Sequence, residues 1–121
     1  ATGLTHTAHP ISLAAAVGNL EAFEEEGLVE RSRVLGEILD ERLRLMGKQH
    51  AVVRDTRSSG LYGCLELDDR IDVKRLRAMA FERHAHMLAR GHCLFIAPPL
   101  VISEKDLDLG LNITDEILNL I

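Results

Sequence analysis

Two threonines and two histidines stand close together near the start of the chain, in the stretch GLTHTAHP. Thr5, His6, Thr7 and His9 offer hydroxyl groups and imidazole nitrogens, which can donate or accept hydrogen bonds to a ligand. Pro10 follows at once, and proline suits the first turn of a helix. The stretch is therefore either a flexible polar lead into a helix, or one part of a ligand site whose other parts lie outside this chain.

A second set of potential ligands comes later, at His84, His86, His92 and Cys93. Their spacing predicts the first two histidines on one face of a strand, with the other two residues across a hairpin. Zinc sites need three or four ligands at matched spacing, and neither an HExxH nor a CxxC motif is present. We therefore predict no metal site, and assign these histidines to packing or to the solvent-exposed surface.

No complete catalytic motif appears in the chain. Ser58 and Ser59 precede Gly60, and such a Ser-Ser-Gly sequence is typical of a turn. A GxSxG nucleophile elbow, a phosphate-binding loop of the P-loop type and a dinucleotide-binding fingerprint are all missing. We accordingly predict no catalytic residue among the 121.

Hydrophobic periodicity predicts the elements that must position these residues. Apolar residues at helical spacing predict a helix from Pro10 that stops at Gly27. A longer helix follows over residues 28–50, and its predicted apolar stripe consists of Val34, Leu35, Ile38, Leu39 and Met46. Alternation and β-branched residues predict two strands over residues 51–57 and 61–67.

The second half of the chain reads as a helix, a hairpin and a closing helix. Asp72 is a candidate cap for the inserted helix, and two short strands flank Arg90 and Gly91. Ser103 and Asp106 have the spacing of a capping box for the last helix. Two N-terminal helices, about four short, mostly antiparallel strands, an inserted helix and a C-terminal helix predict the α+β class.

Composition limits the partners and the location of the protein. A chain of 121 residues supports one modest core, and its net charge of −5 without a basic cluster argues against nucleic-acid binding. The longest apolar runs are too short to span a membrane, and no signal peptide is visible. Cys64 and Cys93 lie in apolar strand-like runs, which is typical of reduced core cysteines. We therefore expect a cytoplasmic protein.

Three stretches resemble one enzyme family, in the family's order. GLTHTAHPISLAAAVGNLEAFEEEGLVERSRVLGE (residues 3–37) resembles the G-x-T-Y-x-G-H-P segment, Ala-rich helix and EEGL turn of class III aminotransferases. VVRDTRSSGLYGCLEL (residues 52–67) is similar to the family's D-V-R-G-x-G-L-x-x-x-x-E-L stretch. LFIAPPLVISEKDLDLGLNITDEIL (residues 94–118) is similar to its PPL ending. The pattern is nearest to pyruvate-dependent ω-amino-acid and taurine-type transaminases.

The resemblance implies a pyridoxal-phosphate enzyme of fold type I, of which this chain is the C-terminal part. Residues 1–27 would be an interface segment and linker helix with a cofactor-phosphate loop at its start, and residues 28–121 the small domain. The implied partners are a large domain outside this chain, the second subunit of a homodimer, and small amino-donor and keto-acid substrates. The implied reaction is amino transfer from an ω-amino acid, amine or aminosulfonate to a keto acid such as pyruvate.

Thr5 matches the family threonine, whose hydroxyl and backbone N–H bind the cofactor phosphate of the neighbouring subunit. A threonine hydroxyl and the N–H groups ahead of a helix suit an anion. The alternative is that Thr5 only caps a turn. The chain departs from the family in having His6 for the usual Tyr, Ala8 for the usual Gly, and a shorter connection after residue 67.

The lysine that forms the Schiff base with the cofactor lies upstream of GLTHTAHP in the family, as do the aspartate and the aromatic ring that contact the pyridine. Lys48, Lys74 and Lys105 are predicted on helix surfaces and match no cofactor motif. The resemblance therefore implies that this chain alone is inactive and does not bind pyridoxal phosphate.

Arg90 falls where some taurine- and ω-amino-acid-type relatives carry an arginine or a histidine before the PPL strand. A guanidinium there would pair with a substrate carboxylate or sulfonate. The alternative is a solvent-facing hairpin residue.

Two functions from different classes fit these features. The chain is either the C-terminal domain of such an aminotransferase, or a non-catalytic dimerisation or regulatory module derived from the same fold. It begins without Met, which is typical of a processed protein or of a piece of a longer one.

Overall fold

The computed structural model describes residues 8–121 and contains four helices and four strands in that range. The helices are α1 (Pro10–Glu25), α2 (Leu28–Gln49), α3 (Val73–Glu82) and α4 (Glu104–Leu118). The strands are β1 (Val53–Ser59), β2 (Tyr62–Leu67), β3 (Leu88–Arg90) and β4 (Cys93–Ile96). They form one antiparallel sheet in the order β1-β2-β4-β3. The predicted α+β class and order of elements are confirmed.

Helix α2 is the main support of the sheet. Leu35, Leu39, Leu43 and Met46 recur at helical spacing and are nearly inaccessible to solvent. Val34, predicted within this stripe, is 44% exposed because it lies about 100° round the helix from Leu35.

The core lies between the helices and one face of the sheet. Leu65 and Leu94 sit opposite each other on β2 and β4, and both are fully buried. From the helix side Leu39 and Leu111 meet this face, also with no exposed surface. The buried cluster draws only on residues from Leu35 onward.

Both predicted caps hold their helices. The Asp72 carboxylate accepts hydrogen bonds from the backbone N–H groups of Lys74 and Arg75 at the start of α3. The Ser103 hydroxyl accepts one from the backbone N–H of Asp106 at 3.0 Å. These bonds satisfy amide groups that the first helical turn leaves without partners.

A close backbone contact locks α2 against the β1–β2 turn. A Cβ placed on Gly36 would lie 2.6 Å from the Gly60 Cα. Gly60 itself has a φ of +53°, which glycine adopts readily. Beside it, the Ser32 hydroxyl accepts a hydrogen bond from the Leu61 N–H. The turn is therefore held by the helix as well as by its own strands.

The predicted strand position of His84 and His86 is wrong. Both residues lie in the connection between α3 and β3. His84 has a φ of +62° and ends α3 in a Schellman arrangement, in which the Ala85 N–H donates to the Ala80 carbonyl and the His84 N–H to the Phe81 carbonyl. The chain turns here and pairs as a strand only from Leu88.

Candidate functional site

Within residues 8–121, helices cover one face of the sheet and leave the other without helical cover. We call the second face the open face. The strand register sets its composition. One cross-strand row consists of Arg90, Cys93, Glu66 and Asp55, the next of Leu88, Phe95, Cys64 and Arg57, and the third includes Tyr62 and Ser59. Successive residues of a strand point to opposite faces, so these side chains share the face away from Leu65 and Leu94.

Arg57 is fully engaged at the centre of this face. Its Nη1 donates to the Asp55 carboxylate at 2.7 Å and its Nη2 to the Glu66 carboxylate at 2.8 Å. The hydrogen bond to Glu66 is the main reason that the pKa of Arg57 is raised above its usual range. Two carboxylates of the same sheet thus already occupy this guanidinium.

Arg90 differs from Arg57 in its surroundings. It ends β3, is exposed, and pairs through its backbone position with Cys93 beside the turn at Gly91. Its guanidinium makes no ion pair or hydrogen bond with any other residue in the range 8–121. An unpaired guanidinium on an exposed sheet face can donate hydrogen bonds to a carboxylate, sulfonate or phosphate and so bind it.

Aromatic and apolar groups flank these charges. The rings of Tyr62 and Phe95 lie 5.9 Å apart, and the Tyr62 residue is 51% exposed. Leu88 is 58% exposed in the same row as Phe95. The open face thus combines an unpaired cation with exposed apolar surface.

The histidines of residues 8–121 do not lie together in one site. His86 packs edge-on against Phe81, with 4.9 Å between the ring centres. The exposed His92 has its Nε2 3.9 Å from an Asp69 carboxylate oxygen. Within residues 8–121, no group of three or more histidine, cysteine or acidic side chains is arranged to hold a metal ion.

The three lysines lie away from the open face. Lys48, Lys74 and Lys105 are exposed on α2, α3 and α4, and none of them lies on a strand of the open face. Thr5, the predicted phosphate ligand, lies outside the described residues. We therefore assign no step of the chemistry to a cofactor held by the described part.

Sequence analysis does not predict the contacts of Arg57 with Asp55 and Glu66. Arg57, Glu66 and Asp55 read separately as strand residues pointing to solvent. The usable signal is the alternation of a strand, which places Asp55 and Arg57 on one face of β1 and sets Glu66 between the apolar Leu65 and Leu67. Their contacts depend on the register of β1 and β2, which includes an irregularity between Val53 and Asp55.

None of the helices within residues 8–121 combines the length and the apolar character that a membrane crossing requires.

The family model for class III aminotransferases matches residues 1–118 of this chain. Among curated proteins, 5-aminovalerate aminotransferase DavT of Pseudomonas putida is 33% identical, over 94% of this chain and 29% of its own length. Isoleucine 2-epimerase of Lentilactobacillus buchneri is 31% identical, over 93% of this chain and 27% of its own. The chain thus spans less than a third of these relatives.

The fold also matches solved structures. A structure described as a transaminase with L-alanine superposes with a TM-score of 0.89 at 29% identity, covering 98% of this chain and 30% of that one. The resemblance in sequence is thus accompanied by the same arrangement of helices and strands.

Proposed function

The chain belongs to the class III aminotransferase family, and we propose that it serves as the small domain of a pyridoxal-phosphate-dependent enzyme of that family. The reaction would be amino transfer from an ω-amino acid, amine or aminosulfonate to a keto acid such as pyruvate. The observation that carries this proposal is the family match over residues 1–118. DavT supports the substrate class, because by its name it acts on 5-aminovalerate, an ω-amino acid.

The enzyme would need more than these 121 residues. None of the three lysines lies on the open face, and the matched relatives are more than three times as long as the matched segment. We propose that a large domain supplies the lysine that binds the cofactor, and that a second subunit completes the site. The cofactor would supply the electron sink for amino transfer.

The reaction type needs a direct test, because one relative is named as an epimerase. The test is to express the longer polypeptide that joins these residues to a lysine-bearing large domain, load it with pyridoxal phosphate, and assay both reactions. We expect amino transfer from 5-aminovalerate or taurine to pyruvate, and no activity from the 121-residue chain alone. Epimerisation of isoleucine without net amino transfer would overturn the proposal.

Thr5→Ala tests the proposed phosphate contact in the longer enzyme. Hydrogen bonds to charged groups contribute about 1.5–3 kcal/mol. Their loss should weaken cofactor affinity roughly tenfold to hundredfold, with little change in the melting temperature of the cofactor-free protein. The measurements are cofactor titration and thermal unfolding of both forms.

Thr7→Ala is the matched control, because it removes the other threonine hydroxyl of the same stretch. It should retain the cofactor as the unchanged enzyme does. If Thr5→Ala leaves affinity unchanged and destabilises the cofactor-free protein, then Thr5 is a turn residue and the phosphate role fails.

Arg90→Gln tests the proposed substrate contact. The guanidinium is exposed and unpaired within residues 8–121, so its removal should leave stability nearly unchanged. If it pairs with the acidic group of the donor, KM for 5-aminovalerate or taurine should rise roughly tenfold to hundredfold. KM for an amine donor without an acidic group should stay the same.

Lys105→Gln removes an exposed cation from α4 and serves as the control for net charge. If Arg90→Gln changes KM equally for acidic and neutral donors, Arg90 does not bind the acidic group. The same conclusion follows if Arg90→Gln and Lys105→Gln change KM equally.

A further inference from the structure

The two cysteines of the chain lie on the open face, on neighbouring strands. Cys64 is opposite Phe95, and Cys93 is opposite Glu66, in the register of β2 and β4. The two cysteines are therefore diagonal neighbours on one face of the sheet. Both are free thiols.

One guanidinium nitrogen reaches both sulfur atoms. The Arg57 Nη2 is 3.8 Å from the Cys64 Sγ and 4.0 Å from the Cys93 Sγ. A positive charge beside a thiol favours the thiolate, which is the reactive form toward oxidants. A thiolate formed on Cys64 would therefore be stabilised by this arginine.

The two thiols differ in their access to solvent. Cys64 is 6% exposed, whereas Cys93 is only partly buried. Burial raises the pKa of the Cys64 thiol, the neighbouring Cys93 raises it further, and Arg57 acts in the opposite direction. Cys93 is thus the thiol that a dissolved oxidant reaches first, and Cys64 is its buried, protonated neighbour.

We propose that Cys64 and Cys93 are a redox-sensitive dithiol, which hydrogen peroxide converts into an intramolecular disulfide beside Arg57. In the first step the Cys93 thiolate attacks one peroxide oxygen and the O–O bond breaks. Cys93 becomes a sulfenic acid, and the departing hydroxide takes up the proton that the thiol lost, as water.

In the second step Cys64 loses its proton, and its thiolate attacks the Cys93 Sγ. The S–S bond forms and the S–O bond breaks, so that hydroxide leaves and takes up the proton released by Cys64. The two sulfur atoms together lose two electrons, and one peroxide molecule is reduced to two molecules of water.

The position of the pair predicts that the disulfide is easily reduced. Diagonal neighbours in a sheet are about 7–8 Å apart, whereas the Cα atoms of an ordinary disulfide lie about 4.4–6.8 Å apart. Closing the bond therefore requires local movement of the backbone, and strained disulfides are more readily reduced. The bond would therefore be a reversible modification.

The test is to treat the 121-residue chain with excess hydrogen peroxide and to count free thiols in denaturant. We expect the loss of both thiols, a tryptic peptide pair joined by Cys64 and Cys93, and full recovery with dithiothreitol. The rate per molecule should not depend on protein concentration, because the bond is within one chain.

Single variants separate the two roles. In Cys64→Ser a sulfenic acid should accumulate on Cys93 and react with dimedone, whereas Cys93→Ser should oxidise at least about tenfold more slowly. Cys64→Ala gives the same readout if the serine at this buried position prevents folding.

Arg57→Gln tests the contribution of the guanidinium and should slow oxidation of the pair roughly tenfold. Arg33→Gln is the matched control, because Arg33 also bonds two carboxylates, Glu30 and Glu37, but on α2. It should oxidise at the unchanged rate.

Three results would overturn the proposal. They are thiols that survive peroxide in the folded chain, disulfides that form only between chains, and sulfinic acid on Cys93 with Cys64 still reduced. Equal rates for Arg57→Gln and the unchanged chain would remove Arg57 from the proposal.

Discussion

Helices α1 and α2 follow each other directly, yet they relate to the rest of the molecule in opposite ways. α1 is rich in alanine and other apolar residues, and none of its sixteen residues is buried. α2 carries many charged residues and still buries six, namely Leu28, Leu35, Gly36, Leu39, Leu43 and Met46. Spacing rather than mean apolar content therefore decides which helix joins this core.

The exposed apolar residues of α1 lie on more than one side of the helix. Ile11 is 75% exposed, Leu20 65%, and Leu13 and Val17 54% each. A helix that is apolar on all sides is typical of a buried position in a larger assembly. We therefore expect that α1 is covered by protein outside residues 8–121, in line with the predicted division at residue 27, which stays a prediction.

The largest difference between the helices should appear when a leucine is truncated in each. Leu39→Ala removes a fully buried side chain from α2 and should lower the free energy of unfolding by about 2–5 kcal/mol. Leu20→Ala in α1 should change it by less than about 0.5 kcal/mol. Denaturant unfolding of both variants measures these values. Similar losses in the two variants would mean that α1 is part of the folding unit.

Much of this contrast could be predicted from the sequence. The amphipathic spacing of α2 marks its core residues, and Ser103 and Asp72 mark the starts of α4 and α3 by their capping chemistry. These signals are local, because each depends on residues within a turn or two of one another. The absence of burial in α1 is not local, since it depends on what lies beside the helix.

Other features required information that the sequence does not carry locally. α3 ends with a positive φ at His84, a position where glycine or asparagine is the usual signal. Without that signal, the sequence predicts a strand for these histidines. The grouping of Arg57 with both cysteines depends on the register of three strands, which is set by packing of the whole sheet.

Replacing one glycine by alanine in α1 and one in α2 should change the free energy of unfolding by intermediate amounts, in opposite directions. Gly36→Ala on α2 brings a Cβ to 2.6 Å from the Gly60 Cα, and backbone atoms cannot move away as a flexible side chain would. We expect a loss of about 1–3 kcal/mol of unfolding free energy. Gly18→Ala on α1 meets no atom within 4 Å and should stabilise the helix by up to about 1 kcal/mol.

Thermal or denaturant unfolding of the two glycine variants measures this pair. Stabilisation by Gly36→Ala would show that α2 and the β1–β2 turn are not in close contact. Destabilisation by Gly18→Ala would show that a neighbour packs against α1 in the isolated chain.

The smallest effect on stability should come from charged residues introduced on α1. These substitutions should weaken self-association of the chain rather than its folding. Leu13 and Leu20 are both exposed and lie seven residues apart, so they share one side of the helix. An exposed apolar surface of this kind tends to find a partner, and we expect the 121-residue chain to self-associate through it. Leu13→Glu with Leu20→Glu should weaken self-association at least about tenfold, as the loss of about 1.4 kcal/mol would. The unfolding free energy should change by less than about 0.5 kcal/mol. Sedimentation velocity over a range of concentrations measures the association.

The control is Glu21→Gln with Glu24→Gln, which alters the charge of α1 but keeps its apolar residues and should associate at least as strongly as the unchanged chain. A monomeric unchanged chain at high concentration, or equal association of the Leu→Glu variant, would show that α1 is not the contact surface.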